Sequence, residues 1–243
     1  MKKNIIFFIL VMFTMPIFSQ DGYKVSYFIS KTIPHGSIDN LSMQAKQMSQ
    51  KLLDAAKSVR YTLTINEKSS YFSADDFFSI GESTSLDQIY FDLAKKTTSF
   101  NKEIYSNYSN KQMTFVKDLV DKDFIVKTNF IDFKWKLINE EKTIANLNAY
   151  KAVGTYFDPI KNKEVTVIAW YVPSIPISGG PDIFMGLPGL IAEVELKGAI
   201  VTIEKLEDIK NPDINKIDDS KAMTSNEYHN LIKDLTGKFI DNN

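Results

Sequence analysis

Cysteine is absent from the 243 residues. That excludes disulfides, thiolate metal sites and a lipid-modified N-terminal cysteine. Arginine is almost absent too, with Arg60 the only one. Bidentate clamps on phosphate or carboxylate, which use the planar guanidinium fork, therefore have little to be built from. There are two histidines, His35 and His229, far apart in sequence. A His-rich metal site is ruled out, and a Ser-His-Asp triad would have to recruit one of these two. No serine stands in a Gly-x-Ser-x-Gly elbow. A net charge of −1 provides no general basic face for nucleic acid.

What is present is enough for a core. Hydrophobic residues make up 44% and charged residues 24%, the balance of one globular domain. The chain opens "MKKNIIFFILVMFTMPIFSQ". Lys2 and Lys3 precede an apolar run from Ile5 to Phe18, the length of a signal-peptide core and short for a membrane span. Residues 1–19 read as a signal peptide cleaved after Ser19, and 20–243 as a single exported domain with no membrane span. The periplasm is the expected compartment.

Tyr23–Ser30 is rich in aromatic and β-branched residues and reads as a strand. From Ile38 to Val59, Leu41, Ala45, Met48, Leu52, Ala55 and Val59 recur at helical steps, with Ser37 or Asp39 as cap. Alternation returns at Val59–Ile65. The runs "SYFSADDFF", "QIYFDLA", "EIYSNYS", "QMTFVKD" and "DFIVKTN" follow at strand-and-turn intervals. "DFKWKLINEEKTIANLNAY" fits a strand followed by a loop or short helix. "AYKAVGTYF" and "EVTVIAWYV" pair across "DPIKNK". "LIAEVEL" and "AIVTIEKLE" pair across Lys197-Gly198. A closing helix starts at Thr224, with Glu227 at capping-box spacing and Met223 and Tyr228 as a staple. The expected fold is α+β: a curved antiparallel sheet of roughly eight to ten strands. It packs with one long helix in the N-terminal half and a C-terminal helix.

Between two of these strands stands "VPSIPISGGPDIFMGLPGLI", with four prolines and four glycines from Pro173 to Gly189. Pro173 and Pro176 stiffen the chain. Gly180-Pro181 can start one helical turn that Gly186 ends. Leu187-Pro188-Gly189-Leu190 fits a type II turn, with positive φ at Gly189. Leu190, Ala192, Val194 and Leu196 then face inward and Glu193 and Glu195 outward, which makes Glu193→Gln nearly silent.

"AWYVPSIPISGGPDIFMGLPGLIAEVE" resembles the defining segment of the GLPGLI family, named after the hexapeptide that is complete here at Gly186–Ile191. The flanking Ala169-Trp170-Tyr171, Ile175-Pro176 and Gly180-Pro181 are similar to the family pattern as well. The resemblance implies an exported protein of a kind typical of Bacteroidetes. It brings no reaction and no catalytic residues.

The carboxylate pairs offer no chemistry of their own. Neighbours such as Asp75-Asp76 or Glu140-Glu141 point to opposite faces of a strand. Glu193 and Glu195 share a face that solvation explains. No catalytic, cofactor or metal site is assigned, and a non-enzymatic envelope protein is the expectation. The candidate site is a stiff rim formed by the family segment: Trp170, Tyr171, Pro176, Gly180, Pro181, Phe184, Gly186, Leu187, Pro188, Gly189, Leu190 and Ile191. Trp170 and Phe184 would lie beneath or beside it. The rim would border an apolar opening for a lipid-like or peptide ligand, or meet an envelope protein. The alternatives are a partner-binding or structural module without a cavity, and an uncharacterised hydrolase. The Phe184 environment decides between plug and rim.

Overall fold

The computed structural model describes residues 21–33, 40–75, 84–119, 122–158, 162–196 and 198–240. The signal-segment reading of 1–19 lies outside these residues, as do His35, Ser37, Asp39, Asp76 and Lys197.

One sheet holds the domain together. Its N-terminal strands are β1 (Asp21–Thr32), β2 (Arg60–Asn66), β3 (Ser69–Ala74), β4 (Glu103–Asn107), β5 (Gln112–Leu119) and β6 (Lys122–Asn129). The C-terminal strands are β7 (Lys136–Ile144), β8 (Leu147–Asp158), β9 (Lys163–Val172), β10 (Leu190–Leu196), β11 (Ala199–Lys210) and the two-residue β12 (Met223–Thr224). The helices are α1 (Met43–Ser58), α2 (Ser85–Thr98) and α3 (Ser225–Ile240). Strand order is β12-β6-β5-β4-β3-β2-β1-β11-β10-β9-β8-β7. Two antiparallel meanders, β1–β6 and β7–β11, thus meet where β1 pairs with β11.

This corrects the expected fold class. Among the described residues the sheet has twelve strands, not eight to ten, and it is mixed, because β12 runs parallel to β6. There are three short helices among the described residues, and no long N-terminal one. The span expected to be helical from Ile38 to Val59 contributes only the 16 residues of α1, capped by the Ser42 side chain on the Ala45 N–H. Its apolar stripe is buried at the C-terminal end alone. Ala56 and Val59 are in the core, whereas Leu41 and Met48 are exposed. A helix held by one end gains little from continuing at the other.

"QIYFDLA" is also corrected, from strand to helix. Thr84 and Asp87 form a complete capping box at the start of α2. Phe91, Ala94 and Thr98 then recur at helical steps and bury one face. The Thr98 hydroxyl meets the Tyr61 hydroxyl at 2.8 Å, which pins the end of α2 onto β2. The ambiguous run after β6 is a strand hairpin. Ala145 and Asn146 both take positive φ, 48° and 64°, between β7 and β8, the backbone of a two-residue primed turn.

One face of the central strands carries the core. Val25, Tyr27, Tyr61, Leu63, Ile65, Phe72 and Ile104 are almost fully buried, with Tyr61 and Phe72 stacked at 5.3 Å. What covers them, besides α1 and α2, is irregular chain. The segment 130–135 between β6 and β7 brings in Phe133 and Trp135. The segment 173–189 between β9 and β10 lies in contact with both.

Gly154 shows how tightly this second layer sits on the sheet. A Cβ there would meet the Trp135 ring at 2.5 and 2.7 Å. Gly154→Ala should therefore lower stability by about 1–3 kcal/mol, the usual cost of forced overpacking. A denaturant melt followed by tryptophan fluorescence reads both the loss and the displaced ring. An unchanged midpoint would mean that Trp135 is not packed on β8.

Candidate functional site

The family segment is a compressed chain held by short-range bonds. Ile175 N–H donates to Val172 O at 3.2 Å, Ile177 N–H to Ile175 O at 2.8 Å and Gly179 N–H to Ile177 O at 3.0 Å. The last two span three residues each, the hydrogen bond of a γ-turn, with Pro176 and Ser178 at the centres. Exposure follows this zigzag: Pro176 and Ser178 face out, while Ile175, Ile177 and Gly179 face in. A third bond of this kind, Gly189 N–H to Leu187 O at 2.8 Å, closes around Pro188.

Two turn assignments change as a result. Leu187–Leu190 is not a regular type II turn: the Gly189 N–H closes back on Leu187 O, the Gly189 φ lies far from the roughly +80° of such a turn, and the Leu190 N–H donates to Ile175 O at 3.1 Å. Gly189 nevertheless takes positive φ, at 155°, and a Cβ there would run into the Val172 carbonyl. Gly186, at φ 93°, is the residue in the left-handed region. Pro181 does not begin a helical turn. Phe184 N–H donates to Pro181 O at 3.2 Å across Asp182, whose φ is 54°.

The candidate rim residues separate into two groups. Gly180, Pro181, Phe184, Leu187, Gly189, Leu190 and Ile191 are buried, and Tyr171 nearly so. Phe184 is 1% exposed. Its ring lies 5.2 Å from Phe133 and 6.2 Å from Phe100. The Ile191 carbonyl accepts from the Tyr27 hydroxyl at 2.8 Å, so the hexapeptide is bonded to the central strand. Met185 O accepts from Trp135 Nε1 at 2.9 Å. Pro176, Gly186 and Pro188 are the members left at the surface. The segment is therefore a plug over the sheet, and its apolar side chains do not border an opening.

Trp170 is not brought to Phe184. It pairs with Lys151 on β8 and Glu193 on β10, on the face those side chains share. Lys142 Nζ stands 4.3 Å and Lys151 Nζ 5.9 Å from its ring. Glu193 accepts from Lys142 Nζ at 2.6 Å and from the Thr202 hydroxyl at 3.1 Å, with its side chain only 17% exposed. These contacts argue against a silent Glu193→Gln, and a loss of stability is the expected outcome. A bulge at Ala192 shifts the register and lets Leu190, Ile191 and Ala192 all be buried in succession.

Asp182 is the functional-type residue that pattern reading missed. Its carboxylate is 2% exposed. It accepts from the Phe100 N–H at 2.7 Å, the Asn101 N–H at 3.2 Å and Asn101 Nδ2 at 2.6 Å. Burial pushes the carboxyl above its usual range, and the Lys117 charge and these donors pull it partly back. Lys117 Nζ donates to the Phe100 carbonyl at 2.9 Å. On the other side of Phe100 and Asn101 lies a cleft of about 640 Å³ where α2 runs into β4. Among the described residues no cluster of His, Asp or Glu could hold a metal ion. Among the same residues no helix is long and apolar enough to cross a membrane.

Two outcomes follow from this geometry. Phe184→Ala should cost about 3–5 kcal/mol, the range of a packed core aromatic, measured by chemical denaturation. A loss under about 1 kcal/mol would return Phe184 to a surface role. At Asp182 the folded chain holds the proton more tightly than the unfolded one, so the cost of burying the charge is present at neutral pH. It fades as pH falls through the raised folded value toward roughly 4. Asp182→Asn keeps an acceptor for the two backbone N–H groups and removes the charge. Its stability relative to wild type should be highest at pH 7 and decline on acidification. Asp182→Ala, which orphans three donors, should cost about 3 kcal/mol or more at either pH. If the Asn variant instead gains on acidification, the carboxylate is favoured by its setting.

A family model described as "Protein of unknown function (Porph_ging)" matches residues 157–193. The match takes in the end of β8, all of β9, the whole Pro/Gly plug with Asp182, and the start of β10. No curated protein matches the chain. Solved structures titled "Structure of PNGF-II in C2 space group" and "Structure of PNGF-II in P21 space group" are similar at 15% and 16% identity, with TM-scores of 0.48 and 0.47. They cover 87% and 88% of this chain, which spans about a third of theirs, 32% and 33%.

Proposed function

We propose that this is an exported envelope protein of the GLPGLI type that acts by binding a protein partner and not by catalysis. Its family segment serves the fold, not a ligand. A lipid-like or peptide ligand at the segment is disfavoured, because Ile175, Ile177, Ile183, Phe184 and Met185 are taken up by the core. The observation that carries the partner reading is elsewhere. Six of the nine large hydrophobic side chains exposed among the described residues belong to α1, α2 and the residues just before α1. On α2, Leu86, Ile89 and Leu93 stand one above another at helical steps. On the α1 side, Met43 and Met48 are the most exposed. Grouped apolar side chains on a surface mark contact sites for other proteins.

Strand addition at a sheet edge is a weaker route. The outer strand β7 carries Lys136, Glu140, Glu141 and Lys142 and an irregularity in its pairing between Leu137 and Glu141. Charges and bulges are how edges are kept from pairing. Export rests on Lys2, Lys3 and the apolar run to Phe18. β1 begins at Asp21, just after the proposed cleavage point.

The test is chemical cross-linking in the native envelope, comparing the wild type with a Leu86→Gln, Ile89→Gln, Leu93→Gln variant. These exposed sites should change stability by within about 0.5 kcal/mol each. The wild type is expected to start near Gln20 and to form one cross-linked species that the variant loses. An identical cross-linking pattern for both proteins would overturn the docking face. A full-length chain with Met1, found in the cytoplasm, would overturn export.

A further inference from the structure

Asn101 Oδ1 is the one buried side-chain oxygen among the described residues that meets no hydrogen-bond partner. The residue borders the cleft, but this oxygen is sealed from it. Whatever serves it has to come from inside the protein. The other half of the same carboxamide shows where from. Asn101 Nδ2 donates to Asp182 Oδ1 at 2.6 Å. Nδ2 and Oδ1 share one carbon, so the unserved oxygen stands beside the Asp182 carboxyl.

An ionised Asp182 cannot help, because a carboxylate only accepts. It takes Nδ2 on one oxygen and the Phe100 and Asn101 N–H groups on the other, at 2.7 and 3.2 Å. A protonated carboxyl carries one O–H donor. Set against a carboxamide, an acid can give that O–H to the amide oxygen while it goes on accepting from the amide nitrogen. Two bonds then stand where one stood, and the orphaned acceptor is satisfied.

The surroundings favour that uptake. Asp182 is 2% exposed, and burial is the largest influence on its carboxyl, raising it. The titratable groups that face it are Lys117 on β5, Tyr61 on β2 and Tyr156 on β8. Lys117 acts the other way and favours the charged form, as do the three donors. Burial raises both phenols, Tyr156 to about 12, so neither brings a charge near neutral pH. The balance leaves the folded carboxyl above the unfolded one. The stabilisation from the bound proton is therefore complete below the unfolded value of roughly 4 and is lost as pH rises through the raised folded value.

We propose that Asp182 and Asn101 form an acid-tightened latch: a proton taken up by the carboxyl is donated to Asn101 Oδ1, and the family segment is then held more firmly to the turn from α2 into β4. The latch is separate from the α1–α2 docking face and holds whether or not that face is used.

The experiment follows the intact mature protein by NMR from about pH 8 to about pH 4, reading Asp182 Cγ and the Asn101 carboxamide after through-bond assignment. Asp182 is expected to titrate above the usual aspartate range, and the Asn101 Cγ and Nδ2 shifts to move with the same midpoint. Hydrogen exchange, corrected for its intrinsic pH dependence, reads the firmness of the segment. Its Leu190 and Ile191 amides, which bond to Ile175 and Gly179, should gain protection in acid by about threefold or more. Asp182→Asn, which has no proton to gain, should lose that increase. An Asp182 midpoint within or below the usual range overturns the proposal. So do Asn101 shifts that ignore the titration, protection that is unchanged or lower in acid, and an increase that persists in a folded Asp182→Asn variant. Acid unfolding before the carboxyl takes up its proton overturns it as well. If the variant does not fold, the wild-type titration and exchange decide.

Discussion

A carboxylate out of water must be given donors, and Asp182 is given three. The junction between the 173–189 segment and the turn from α2 into β4 is arranged around that requirement. The donors come from Phe100 and Asn101, the residues that lead from α2 into β4. Asp182 itself comes from the connection between β9 and β10, more than eighty positions later. The two wings of the sheet, already paired along β1 and β11, are thereby tied a second time through one side chain that is neither in a strand nor in a helix. Phe184, two residues on, can then reach Phe100 and Phe133 together.

The Pro/Gly composition of the segment follows from its task. A single sheet has to have its apolar face covered, and here α1 and α2 cover part of it and irregular chain the rest. Irregular chain in a core must satisfy its own amides. The segment does so with three γ-turn bonds, with Leu190 N–H on Ile175 and with Ile191 N–H on Gly179 O at 2.8 Å. Gly179 and Gly180 carry no side chain where Ile65 and Ile191 come close. Proline at 173, 176, 181 and 188 restricts the chain before it folds, so less entropy is lost in holding this shape. The outer face of the sheet uses a different device. The Glu193–Lys142 pair and the Trp170 ring between two lysines join β7 to β11 by side chains.

Much of the strand pattern was legible because it is local. β1, β2, β4–β6 and β8–β11 coincide with runs that alternate or carry aromatic and β-branched residues, and α3 begins at the capping box of Thr224 and Glu227. α2 was misread because Tyr90 and Phe91 resemble strand residues, although the Thr84–Asp87 box in front of it was readable. Type II chemistry at Pro188-Gly189 was a sound local inference. It failed because the Leu190 N–H finds Ile175, a partner only the tertiary fold supplies. Asp182 left one faint signal, a lone acid between Gly180-Pro181 and the apolar Ile183-Phe184-Met185. The cleft left none, since α2, β3, β4 and β5 bring its residues together only in space.

The pairing of β1 with β11 has a consequence in time. The first strand of the domain lies in the middle of the sheet, with Asp21 opposite Lys210 and Thr32 opposite Ala199. The wing β1–β6 can form strand by strand in chain order as the chain emerges, but one side of β1 stays unpaired until nearly the whole chain is present. The far side of β6 is closed later still, after residues 211–222 carry the chain across to β12. Long-range closures of this kind slow folding and lengthen the life of open strand edges. A half-made molecule is therefore a template with two sticky borders, and the last strands to arrive are the ones that make it safe.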